Sequence, residues 1–151
     1  NFELDTAAFK FLIQQDIKTT LSCYEASSYI YLDKDDIKKI KENKIPGNRW
    51  LYRQLNDWRK LWRVFLGSKK GFIPFDTGTI GHFLAPELFE YDRDIPLKYV
   101  IQDTDTKFTI KSDRKPFLLV SYDFDSDIKV DYCYKAKPEY QQMVVEMISG
   151  N

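Results

Sequence analysis

The 151-residue chain is poor in the residues that most often announce chemistry, with one histidine, two cysteines and only six glycines. His82 alone excludes any site built on two histidines, whether a two-histidine phosphoesterase or a His-based zinc centre. Cys23 and Cys133 are too few for a disulfide framework and form no Cys-x-x-Cys pair, so a reducing compartment is the simplest setting, although a single bridge would leave no trace in the spacing. Asp76-Thr77-Gly78-Thr79-Ile80-Gly81 lacks the lysine and the glycine spacing of a phosphate loop or dinucleotide fingerprint, and no Gly-x-Ser-x-Gly elbow is present. No apolar run approaches the roughly 18 residues of a membrane-spanning helix. The start, NFELDTAAFKF, carries Glu3 and Asp5 where a signal peptide would be basic and then apolar, so a soluble cytoplasmic protein is expected. The chain begins on Asn rather than Met, which fits a processed start or a piece of a longer chain.

Net charge is also missing: 23 basic side chains balance 23 acidic ones. The balance conceals a segregation. From Lys34 to Lys70 there are 12 Lys/Arg against 4 Asp/Glu, whereas from Gly71 to Asp131 there are 7 against 12. Such asymmetry signals either a basic binding surface or acidic strands that pair with basic helices inside one fold. Over a broad footprint the acidic strands would repel phosphates, which counts against general nucleic-acid binding.

Hydrophobic residues at 43% and aromatics at 16% are plentiful, enough for one globular domain over 1–151 with a substantial core. The most informative stretch is 48–66. Ile45-Pro46-Gly47 suits a type II turn, Asn48 can cap a helix beginning there, and Gly67 supplies a stop. On a wheel of about 100° per residue, Leu51, Leu55, Trp58, Trp62 and Phe65 share an apolar sector that Trp50 and Leu61 widen, predicting the buried face. Opposite lie Arg49, Arg53, Asn56, Lys60 and Arg63, a cationic stripe with Tyr52 at its edge.

The remaining periodicity predicts an α+β fold in which helices pack on one face of a mostly antiparallel sheet of about four to six strands. The N-terminal part is helical, from Asp5 or Thr6 to about Leu21 and again from Lys34 to Glu42 behind Asp33, with a short strand at Ser28–Leu32 between them. Gly71–Phe75 reads as a further strand and Asp76–Thr79 as turn chemistry. The main strands fall over 95–134, at Leu97–Ile101, Lys107–Lys111, Phe117–Phe124 and Asp127–Tyr134. A C-terminal helix begins at Pro138, presents Tyr140, Met143, Val144, Met147 and Ile148 on one face, and ends at Gly150.

Three features tempt a catalytic reading. Asp123, Asp125 and Asp127 would project from one face of an extended strand and hold a hard cation, yet the segment is no EF-hand loop, since Ile128 and Tyr134 replace its Gly and Glu, and a wetted sheet face explains the same alternation. A restriction-type nuclease would pair an acid with an acid-x-Lys triplet, as in Asp94 with Asp105-Thr106-Lys107 or Asp113 with Asp127-Ile128-Lys129, but triplets this short recur by chance. His82 would serve as a general base if Asp76 positioned it. None of these has a corroborating motif, and no cofactor or metal is expected. The residues instead favour a non-enzymatic interaction domain in which Arg49, Tyr52, Arg53, Lys60 and Arg63 meet an acidic protein partner, in an adaptor, inhibitor or immunity-like role. The alternatives are a sensor of a small anionic or nucleotide-like ligand in a helix–sheet pocket, and a nucleic-acid-binding protein or metal-dependent nuclease using the three aspartates.

Overall fold

The computed structural model describes residues 2–15, 17–103 and 114–150. In chain order these form α1 (Thr6–Ile13), β1 (Thr20–Ser22), α2 (Tyr24–Ser27), α3 (Lys34–Glu42), α4 (Asn48–Phe65), α5 (Thr77–Leu84), β2 (Phe89–Asp103), β3 (Arg114–Val120), β4 (Lys129–Ala136) and α6 (Pro138–Ser149), with 3-10 turns at Phe2–Leu4 and Pro86–Leu88. The fold is α+β, around a mixed four-stranded sheet in the order β1-β4-β2-β3. β2 and β3 run antiparallel, with Leu97 opposite Val120 and Asp103 opposite Arg114. No described helix is long and apolar enough to cross a membrane.

Capping chemistry fixes the helices that the sequence marks most clearly. Asp33 accepts from the backbone N–H groups of Asp35 and Asp36 at 2.7 and 2.9 Å, and Asp36 returns the bond to the Asp33 N–H, a reciprocal capping box that starts α3. Asp5 caps α1 through the Ala8 N–H. α6 opens on Pro138 and closes at Gly150 with φ +79°. Before α4 the left-handed residue is Gly47 (φ +93°), and Asn48, expected as the cap, is the first helical residue, its buried amide donating to the Ser149 carbonyl.

Several expected boundaries move. α1 stops at Ile13 rather than near Leu21. Ser28–Leu32 and Gly71–Phe75 are not strands; they meet only in an isolated antiparallel bridge between Leu32 and Phe72. Asp76–Thr79 runs into α5 instead of forming a turn between strands. The strand expected over 97–101 is the middle of a fifteen-residue β2. Its N-terminal half, which includes Pro96, carries charged residues that obscured it. The strand expected at Lys107–Lys111 lies outside the described residues. β3 ends at Val120 and β4 begins at Lys129, so Asp123, Asp125 and Asp127 lie in the connection between them and not along a strand face.

By its contacts the chain divides into two compact units, 1–21 with 92–132 and 22–91 with 133–151. The first has a core of Ile13, Ile95, Leu97 and Val130, joined by Phe9, Leu118 and Tyr132 among others. Its one buried carboxylate among the described residues, Asp131, bonds the Arg93 guanidinium at 2.6 Å and the Asp94 N–H at 3.2 Å, with Lys18 at 3.3 Å. Burial pushes this carboxyl up, but the bonds from Arg93, Asp94 and Lys18 outweigh it and hold the group below its ordinary range. The second unit has the larger core, Ala26, Ile30, Leu32, Ile37, Phe72, Phe89, Cys133, Ala136, Tyr140, Val144 and Val145. There α3 packs on α4 and α6, and α5 meets α6 where Gly81 abuts the Tyr140 ring.

Candidate functional site

Tyr52, Leu55, Arg59 and Trp62 succeed one another at three- and four-residue intervals, and this line is the face that α4 turns inward. Trp62 anchors it, its ring 6.5 Å from Phe72 and 5.8 Å from Phe75. Tyr52 packs against the core beneath the Lys41 ammonium, which sits 5.1 Å from its ring centre. Arg59 is half-buried; its Nη2 bonds the Asn56 side chain at 3.1 Å, while Nε is buried with no hydrogen-bond partner among the described residues. An unsatisfied buried donor costs about 1–3 kcal/mol.

The inner face is therefore rolled by roughly a quarter-turn from the centre of the apolar sector, as the spacing of about 100° per residue shows. Arg59 fills an inner position because its hydrocarbon stem packs like an aliphatic residue. The expectation that the apolar sector is buried fails for much of its width. Trp50 is 65% exposed, Trp58 49%, Leu61 45% and Phe65 77%. These four project along one side of α4, an exposed apolar stripe interrupted by Gln54. Only Trp62 of the three tryptophans belongs to the core.

The cations line the opposite flank, roughly 135° round the axis at about 100° per residue. Arg49, Arg53, Lys60 and Arg63 are exposed. Lys60 pairs with Asp57 at 2.8 Å, a solvent-screened contact within one helix. Arg49, Arg53 and Arg63 make no ion pair among the described residues. Of the five residues singled out from sequence, four thus share one wet face, and Tyr52 faces inward. The aromatic half of the surface was missed, because a wheel reports where a helix is apolar and not which part of that arc meets a neighbour.

Among the described residues the catalytic candidates assemble no metal-binding cluster. His82 Nδ1 pairs with the Tyr91 hydroxyl, and its ring lies edge-on to Tyr91 and Phe83. Asp127 lines a cavity of about 720 Å³ with Asp94, Asp131, Lys18 and Lys129, yet Asp131 is already committed to its cationic partners. Among the described residues no three His, Cys, Asp or Glu side chains are arranged to hold a metal ion. Asp105, Lys107 and Asp113 lie outside the described residues. Cys23 and Cys133 form no disulfide; burial, with Glu25 and Cys133 adding to it, pushes the Cys23 thiol up to about 11, far from a nucleophile at neutral pH.

No family model matches the sequence, and no curated protein does either. Among solved structures, a plant nucleoside hydrolase superposes with a TM-score of 0.70 at 11% identity, over 97% of this chain and 46% of that one. The chain thus spans about half the length of that enzyme and shares its fold there, at an identity that carries no residue of its chemistry across.

Proposed function

We propose that the chain is an interaction domain and that α4 is its recognition element, taking an acidic protein partner with an apolar ridge. The observation that carries this reading is the presence of two exposed stripes on one helix: Trp50, Trp58, Leu61 and Phe65 along one flank and Arg49, Arg53 and Arg63 along the other, the cations unpaired among the described residues. Tryptophan and arginine are the side chains that contribute most at protein interfaces, the first by desolvated area and the second by forked bonds to carboxylates. A partner that carries aspartates or glutamates beside an apolar surface and wraps the exposed arc of α4 complements both stripes. Nucleic acid would use the arginines but leave Leu61 and Phe65 without a counterpart. The likeness to part of a nucleoside hydrolase supports a shared fold and adds nothing to this choice.

The test is a photo-cross-linking residue placed at Trp58, and separately at Leu55 as an inward control, in cells that make the protein. The expected result is a cross-link from position 58 to an acid-rich segment of one protein, weakened at least tenfold by Arg49→Glu with Arg53→Glu and by raised salt. Cross-links to nucleic acid or lipid, or yields equal to those at position 55, would overturn the reading.

A further inference from the structure

A second basic feature lies away from the wet stripes of α4. Between the start of α3 and the loop that leaves α4 is a cleft of about 440 Å³ lined by Lys34, Arg59, Lys69 and Lys70, with Tyr31 beside them. This is within the size range of small-molecule sites, about 300–1,000 Å³. Two carboxylates also line it. Asp33 is occupied in capping α3, where one of its oxygens takes two backbone N–H groups, and Asp35 is exposed. Four cations against two carboxylates leave an excess of two positive charges, the complement of a phosphate monoester at neutral pH, which carries about −1.5 to −2.

The walls are fixed before any ligand arrives. Leu32 and Phe72 exchange backbone bonds of 2.9 and 3.2 Å, and the Ser68 hydroxyl donates to the Gly71 carbonyl at 2.6 Å. Gly71 has φ +126°, and a Cβ there would stand 2.2 Å from the Leu32 carbonyl oxygen, so only glycine lets the loop approach this closely. Gln141 closes another side, donating to Asp36 at 2.9 Å and accepting the Tyr31 N–H at 3.2 Å. Arg59 brings the one buried side-chain nitrogen without a partner among the described residues, on a guanidinium suited to forked phosphate contacts. We propose that this cleft binds the phosphate of a small phosphorylated molecule, held by Lys34, Arg59, Lys69 and Lys70.

The site shares no residue with the wet stripes of α4, so the two readings fail separately. The experiment is an NMR titration of the whole chain with inorganic phosphate and, in a second arm, adenosine 5′-monophosphate, at constant ionic strength set by sodium chloride. Saturable shifts are expected at the amides of Lys70 and Gly71 and at the Arg59 Nε–H. Tighter binding of the monophosphate would assign the ligand body to the cleft, and equal binding would assign the phosphate alone. Lys69→Ala with Lys70→Ala should weaken binding at least tenfold, and Arg59→Gln likewise, while Arg49→Ala with Arg53→Ala leaves it unchanged. Shifts that fail to saturate, that chloride reproduces, or that survive the Lys69 and Lys70 replacements would overturn the proposal.

Discussion

Asp131 is 2% exposed, whereas its partners Arg93 and Lys18 keep 49% and 78% of their side chains in solvent. Removing the carboxylate therefore frees cations that water can rehydrate, while removing a cation strands a buried charge. Asp131→Asn is expected to cost about 1–3 kcal/mol at pH 7, measured by urea unfolding. Because the folded carboxyl titrates below its ordinary value of 3.8, its stabilisation is complete above that value and fades as pH falls through the lower folded one. The gap between the native chain and Asp131→Asn should accordingly close as unfolding is repeated at progressively lower pH under 4. A gap independent of pH would refute the charge-based account. Gly71 offers a second residue-level test: with its positive φ and the Leu32 carbonyl in the way, Gly71→Ala should lower stability by at least about 1–3 kcal/mol, read as a drop in the denaturation midpoint.

Among the elements, α4 separates what the sequence reveals from what it cannot. Its limits were readable from Pro46, Gly47 and Gly67, and the collinearity of Arg49, Arg53, Lys60 and Arg63 is a result of helical geometry alone. Its roll was not readable. Which arc lies inward depends on Trp62 finding Phe72 and Phe75, residues brought close by the Leu32–Phe72 bridge, and on Arg59 lending its stem to the core. The same reason hides β2, which pairs with β3 only over Leu97–Asp103 and has β4 as its other neighbour, so its length comes from the ladder and not from any run of alternating residues. The roll makes a sharp prediction about two residues of one type on one helix. Trp62→Ala should cost about 3 kcal/mol by thermal or urea unfolding. Trp58→Ala should stay within about 0.5 kcal/mol, because its ring is already wet.

For the whole molecule, the two compact units carry unequal cores, four buried apolar residues against eleven among those described. Stability should divide the same way. Leu97, 1% exposed, anchors the smaller core, and Leu97→Ala is expected to cost about 2–5 kcal/mol. Hydrogen exchange should place most of that loss at the amides of 95–100 and 117–120, with α3 and α6 less affected. Equal loss in every element would mean that both cores open in a single step. The wet side of α4 has a length as well as a composition. From Trp50 to Phe65 the helix rises about 22 Å at roughly 1.5 Å per residue, so the stripe acts as a rigid ruler. A partner helix would need about 15 residues to match it, an extended segment about seven. The complementary surface must run for about 22 Å, whichever of these forms it takes.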